Sequence, residues 1–234
     1  MEQDLHFSDL PLLPELLEVL DRVQYVHPTP IQRELIPLAL AGRDVIGIAQ
    51  TGTGKTAAFL LPILQHLDQR AAYPQALVLG PTRELVLQIA QEAQRLTEGL
   101  AIRKVAILGG ERYQGQLSGL RQGAHLVIGT PGRLIDHIQR GTLRLDRIRF
   151  VVLDEADRML DIGFRPDIER ILRRCPAERQ TLLLSATVPA PVMRLCQRYM
   201  REPLTVDVTP PQAAVASIRQ TYVSVREEDK FDLL

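Results

Sequence analysis

The chain has 234 residues, 45% hydrophobic and 24% charged, a composition that supports a sizeable core and excludes intrinsic disorder. Lys+Arg and Asp+Glu each number 28, so the formal net charge is zero; bulk charge gives no argument for nucleic-acid binding and leaves only a local basic groove open. Two cysteines, Cys175 and Cys196, exclude a disulfide framework and a cysteine-based zinc site and suit a reducing compartment.

The N-terminus, Met1-Glu2-Gln3-Asp4, is acidic and lacks the apolar stretch of a targeting segment. The longest apolar run, near Ala57 to Leu64, contains Pro62 and is too short to cross a bilayer. A cytoplasmic location and no membrane contact are expected. Leu12, Leu13, Leu16, Leu17, Leu20 and Val23 recur at helical spacing, with Pro14 in the first turn. Thr29-Pro30 reads as the N-cap and first position of a second helix through Leu40. These two helices are expected to cap one edge of a sheet.

Six short apolar runs follow: Val45–Ile48, Ala76–Leu79, Val105–Leu108, Leu126–Ile128, Phe150–Leu153 and Thr181–Leu184. They do not alternate with polar residues, which is how strands covered on both faces read. Helical patterns lie between them, over 84–96 (Leu85, Ile89, Ala93 and Leu96 on one face), 131–138 and 188–200. Strands alternating with helices predict an α/β fold with a mostly parallel sheet and helices on both faces. The segment 210–216 reads as a linker, Tyr222–Val225 as a strand, and 227–234 as the opening of a helix.

The chemistry sits at strand ends. Ala49-Gln50-Thr51-Gly52-Thr53-Gly54-Lys55-Thr56 follows the first strand and opens a helix. It fits the phosphate-loop template, with Ala49 in place of the first glycine. Its glycines let backbone N–H groups converge on phosphate oxygens, Lys55 supplies a point charge, and the Thr56 hydroxyl suits Mg²⁺. Asp154-Glu155-Ala156-Asp157 closes the fifth strand. An acid there is costly unless it holds something positive, so Asp154 is read as a Mg²⁺ ligand, largely through water. Glu155 is placed to deprotonate an attacking water. Pro81-Thr82-Arg83-Glu84, Thr130-Pro131-Gly132-Arg133 and Ser185-Ala186-Thr187 end three further strands. Hydroxyls, free helix N–H groups and guanidinium groups are phosphate-contacting chemistry, and ligands of open α/β sheets bind outside the carboxyl ends of the strands.

In order and spacing these motifs resemble the DEAD-box RNA helicase family over about residues 5–208. Pro28-Thr29-Pro30-Ile31-Gln32 resembles its Q motif, with Tyr25 at the aromatic position and Phe7 at the isolated upstream aromatic. The remaining clusters, with the Gly109-Gly110 pair, match its motifs I, Ia, Ib, II and III. The usual glycine before Tyr25 is Gln24, and motifs IV to VI are absent.

The resemblance implies a RecA-like, three-layer ATP-binding lobe. Its divisions would be 1–41 (Q-motif helices), 42–208 (the core), 209–219 (a linker) and 220–234 (the start of a second lobe). Tyr25 would stack on adenine and Gln32 would bond its edge, giving ATP preference over GTP, while Phe7 packs the Q-motif segment. Pro81, Thr82, Arg83, Gly109, Gly110, Thr130, Pro131, Gly132 and Arg133 would line a single-stranded RNA backbone. Asp157, Ser185 and Thr187 would couple ATP state to lobe closure and local duplex separation. Lacking its second lobe, the chain alone would bind nucleotide without unwinding. Its tail, with Tyr222, Val223, Val225, Phe231 and Leu233, would be mobile or pair with a neighbouring molecule. A nucleotide-dependent RNA clamp and a DNA translocase are alternatives; Asp157 and the Q motif favour RNA over DNA.

Overall fold

The computed structural model describes residues 5–209. The linker at 210–216, the strand at Tyr222–Val225, the helix at 227–234 and the tail pairing all lie outside the described residues.

Among the described residues seven strands form one sheet: β1 Val45–Ile48, β2 Ala76–Leu79, β3 Lys104–Ile107, β4 Leu126–Gly129, β5 Phe150–Leu153, β6 Gln180–Ser185 and β7 Leu204–Asp207. The spatial order is β3-β4-β2-β5-β6-β1-β7, and every neighbouring pair is parallel. The described residues also form nine α-helices, two ahead of β1 and the rest between the strands: α1 Pro14–Arg22, α2 Pro30–Leu40, α3 Lys55–His66, α4 Arg83–Arg95, α5 Tyr113–Arg121, α6 Pro131–Gln139, α7 Ala156–Asp161, α8 Arg165–Leu172 and α9 Ala190–Tyr199.

The three layers follow from strand periodicity. Val45, Val78, Ile128, Val152 and Leu184 face one core with α1 to α4, through Leu16, Ile31, Leu35, Phe59 and Ile89. Their neighbours Ile46, Leu77, Val127, Val151 and Leu183 face a second core with α6 to α9, through Leu134, Met159, Ile168 and Val192. Successive side chains of a strand point to opposite faces, so a continuously apolar run feeds both cores at once.

The second N-terminal helix, α2, lies on the face of the sheet rather than capping its edge. A Cβ added at Gly47, mid-β1, would lie 2.6 Å from Leu184 Cδ1 and 3.0 Å from Leu35 Cδ1. Only glycine lets α2 lie this closely on the sheet face. The true edge beside β1 is β7, which the apolar-run criterion misses because only Val206 of its four residues is buried. α5 and α8 were also not expected. α5 carries two glycines and buries only Gln116. The buried Ile168, Ile171 and Leu172 of α8 stand among charged residues. β3 begins one residue earlier than the apolar run, and β6 one residue earlier and ending one later. Leu85 is only partly buried, and Val86 takes its place in the core face of α4.

The end of α1 explains Gln24. Tyr25 N–H donates to Leu20 O at 2.9 Å and Gln24 N–H to Asp21 O at 3.0 Å, the paired bonds of a Schellman cap. That cap needs left-handed backbone, and Gln24 stands at φ 60°. Gly42 closes α2 in the same way at φ 75°, without a Cβ. An L-residue in this region costs roughly 1–2 kcal/mol, partly offset by the greater chain entropy that glycine loses. Gln24→Gly is therefore expected to stabilise the chain by about 0.5–1 kcal/mol. The check is urea unfolding: a raised midpoint at unchanged slope.

Among the described residues no helix is long and apolar enough to cross a membrane.

Candidate nucleotide and RNA site

The carboxyl ends of the strands divide into two halves. β1, β6 and β5 are adjacent and end in the phosphate loop, Ser185-Ala186-Thr187 and Asp154-Glu155. β2, β4 and β3 are adjacent and end in Pro81–Glu84, Thr130–Arg133 and Gly109-Gly110. One rim thus carries the phosphate-loop sequence and the acidic cluster on one side and the Thr, Gly and Arg clusters on the other.

The first half opens into a cleft of ≈370 Å³, lined by the loop (Thr51, Gly52, Gly54, Lys55, Thr56), Tyr25, Asp154 and Glu155. Gly52 and Gly54 take φ of 80° and 88°, left-handed backbone that glycine reaches without a Cβ clash. A Cβ on Gly54 would strike the Gln32 amide, so the glycine also admits α2. Lys55 is 7% exposed and donates from Nζ to Ala49 O at 2.9 Å. Ala49 itself is fully buried and has only its backbone to offer. Thr53 Oγ1 donates to Gln50 O at 2.8 Å and tightens the loop.

Gln32 does not line the cleft. It is 4% exposed; its Oε1 accepts from Thr29 N–H at 2.9 Å and its Nε2 donates to Gly54 O at 3.0 Å. Both ends of the amide clamp the Q-motif turn to the loop, leaving one N–H and one lone pair for a base edge. Phe7 is buried, stacks on Tyr25 at 5.9 Å between ring centroids, and donates its N–H to Val26 O at 3.0 Å.

Asp154 is 2% exposed, and burial pushes its carboxyl up to about 6, against the opposing pull of the Lys55 ammonium. Glu155 takes left-handed backbone at φ 51°, an unusual conformation for a non-glycine residue, and pairs with Arg158 at 3.1 Å. Asp157 is tied to the end of β6. Its Oδ2 accepts from Thr187 N–H at 3.0 Å and Thr187 Oγ1 at 2.9 Å, and its own N–H donates to Ser185 Oγ at 3.2 Å. These hydroxyls and amides hold its carboxyl below the usual range, outweighing burial.

The folded Asp154 keeps its proton up to about pH 6, whereas an unfolded aspartate loses it near 3.8. Its contribution to stability is present below pH 3.8 and is lost as pH rises through 6. At pH 7 the ionised group costs roughly 3 kcal/mol. Asp154→Asn should stabilise the metal-free chain by about 1–2 kcal/mol at pH 7, less than the full cost because Lys55 then loses its counter-charge. Thermal melts in chelating buffer check this, and an equal or lower melting temperature contradicts it.

In the other half, Thr82 caps α4, its Oγ1 accepting from Leu85 N–H at 3.2 Å. Arg83 is exposed, packs over Gly110 and pairs with Glu111 at 3.2 Å. A Cβ on Gly110 would collide with that guanidinium. Thr130 N–H donates to Ile107 O at 3.0 Å, joining the β4 and β3 ends. Gly132 is exposed, and Gly109 and Arg133 are half-exposed. Pro81 and Pro131 are buried, so they shape their turns rather than face a ligand.

Sequence reasoning missed Gln88, Glu92 and Glu111. Leu85, Gln88 and Glu92 line the cleft and recur at i, i+3 and i+7 on α4, a stripe of one apolar and two polar residues beside the buried face. A larger hollow of ≈530 Å³ lies among Arg165, Glu169, Arg170, Arg173 and Arg174 and carries none of the motifs. Among the described residues no group of three His, Cys, Asp or Glu side chains is poised to hold a metal. A Thr hydroxyl and a single buried carboxylate suit Mg²⁺, which takes few protein ligands and completes its shell with phosphates and water.

The DEAD/DEAH box helicase family model matches residues 29–195. The chain is 48% identical over 228 residues to a DEAD-box ATP-dependent RNA helicase CshA of Geobacillus kaustophilus, covering 97% of the chain and 49% of that protein. It is 44% identical to the CshA helicase of Bacillus subtilis, covering 97% and 46%. The crystal structure of a DEAD box protein from the hyperthermophile Methanococcus jannaschii superposes with a TM-score of 0.84 at 36% identity, covering 97% of this chain and 61% of that one. The chain spans about half the length of the curated relatives it matches.

Proposed function

The chain belongs to the DEAD/DEAH box helicase family, and from that premise we propose that it is the ATP-binding lobe of an ATP-dependent RNA helicase. The observation that carries the reading is the division of one rim into a phosphate-loop half and a backbone-contacting half. ATP binds in the cleft, with Tyr25 against the base and the loop from Ala49 to Thr56 around the phosphates. Lys55 supplies the positive charge within the cleft. Thr56 and Asp154 would hold Mg²⁺, which when bound neutralises phosphate charge. Glu155 orients and deprotonates the attacking water.

RNA runs along the other half. Thr82, Arg83, Gly110, Thr130 and Arg133 contact its phosphates and sugars, with Gly109 and Gly132 permitting close approach. Two arginines neutralise few phosphates, so binding is weak and its salt dependence shallow. Glu111 competes with RNA for Arg83. Asp157, Ser185 and Thr187 bind the β5 end to the β6 end, so a change at the acidic cluster is felt on the face that meets a second lobe. Closure of the two lobes on a single strand then separates a short duplex. A lobe spanning 1–208, with a linker and second lobe following, accords with relatives about twice as long.

The test is Glu155→Gln in a longer form of the protein that carries the second lobe. ATP affinity is expected to stay within about threefold of the parent, while RNA-stimulated hydrolysis falls by about 10²–10⁴, the range of a general base. Normal hydrolysis would remove Glu155 from the reaction. Equal stimulation by DNA and RNA would remove the RNA assignment.

A further inference from the structure

Tyr25 reaches the cleft from a strained turn. Its predecessor Gln24 is left-handed at φ 60°, and the segment up to Thr29 has no helix or strand to hold it. A ring on such a segment needs an anchor if it is to present a fixed face. The anchor comes from α4. Tyr25 Oη donates to Glu92 Oε1 at 2.6 Å. Arg95, one helical turn on, donates from Nη1 to Glu92 Oε2 at 3.1 Å, and its guanidinium carbon lies 5.8 Å from the Tyr25 ring centroid. Both carboxylate oxygens are thereby engaged, one by the phenol and one by the guanidinium. The Glu92 side chain is 15% exposed and its bond to Tyr25 is part-buried, where a charge-assisted bond is strong, whereas Arg95 braces it from the solvent side at 52% exposure. Glu92 also borders the cleft, beside Gln88 and Leu85.

We propose that Glu92, braced by Arg95, is a positioning residue that fixes the Tyr25 ring as the wall of the base-binding end of the nucleotide cleft. It acts on the base through Tyr25 and leaves the phosphate end untouched. The inference rests on Tyr25 facing the base. It extends the machinery of base recognition from the Q motif to the third turn of α4, which no apolar or phosphate-loop pattern singles out. The ring, once fixed, has less freedom to lose on binding a base, so the gain appears as nucleotide affinity.

The experiment is a binding cycle on the whole chain with two probes, ADP and inorganic tripolyphosphate, the second lacking a base. Glu92→Ala is expected to weaken ADP by about 3- to 10-fold and to leave tripolyphosphate within twofold. Tyr25→Phe keeps the ring and loses the tether, and should weaken ADP to a similar degree. The double variant should be no weaker than either single one, because both remove the same bond. Glu92→Gln keeps an acceptor for the phenol and should recover most of the affinity, which also serves if Glu92→Ala does not fold. An unchanged ADP affinity in Glu92→Ala and Glu92→Gln, with Tyr25→Ala weakening ADP, overturns the positioning role and leaves the base wall standing. A full, additive loss in the Tyr25→Phe background also overturns it, since Glu92 would then touch the nucleotide itself. Tyr25→Ala without effect on ADP refutes the base wall instead. Equal loss of tripolyphosphate marks Glu92 as a general structural support and overturns the proposal.

Discussion

Lys55→Ala is expected to reduce nucleotide affinity of this chain by about 10²–10³-fold. Among the side chains lining the cleft, Lys55 is the one cation, facing the carboxylates of Glu92, Asp154 and Glu155. Without Lys55, the charged side chains that line the cleft among the described residues are all acids. Removing one partner of a buried, hydrogen-bonded charge pair costs roughly 3–5 kcal/mol, of the order of the loss predicted. Lys55 is also the charge that opposes the effect of burial on Asp154. Without it the Asp154 carboxyl titrates higher still, so a second cleft residue fails with the first. Titration with ADP and Mg²⁺ measures this directly. Affinity within tenfold of the parent would mean that the loop from Ala49 to Thr56 does not hold the phosphates.

Much of this site was legible before the fold. Val45–Ile48 and Phe150–Leu153 are fully apolar because both their faces are covered, and that same burial makes an acid at the end of β5 conspicuous. The glycines at 52 and 54 announce a loop that only left-handed backbone can make. What stayed illegible depends on contacts distant in sequence. β7 is half-exposed because it is an edge, so its four residues carry no apolar run. Gln32 reads as a base-recognising amide, but its partners Thr29 and Gly54 come together only once α2 lies against the phosphate loop. Glu92 is one acid on a polar helix face until Tyr25, 67 residues earlier, is placed beside it. The two-part division of the rim is also a property of strand order: β2 lies between β4 and β5, and β1 between β6 and β7, which chain order conceals.

Hydrolysis by the chain alone is expected to be slower by about 10³–10⁵ than by a longer form carrying the second lobe. Phosphoryl transfer spreads negative charge over the equatorial oxygens in the transition state, and an arginine supplied from outside the nucleotide site typically contributes that factor. The cleft has no such group to spare. Among the described residues lining it Lys55 is the single cation, and the Arg158 guanidinium is paired with Glu155 at 3.1 Å. Asp157, another acid of the cluster, is bound by Thr187 and Ser185 at the end of β6 and supplies no positive charge. The measurement is single-turnover ATP hydrolysis by residues 1–234, with and without RNA, against the longer protein. Binding should survive in both, since every residue proposed for the phosphate loop and the base wall, Tyr25 and 49–56, lies within the described chain. If the chain alone reaches the longer protein's RNA-stimulated rate, the cation it lacks is not needed, and Lys55 with Mg²⁺ must carry the transition-state charge unaided.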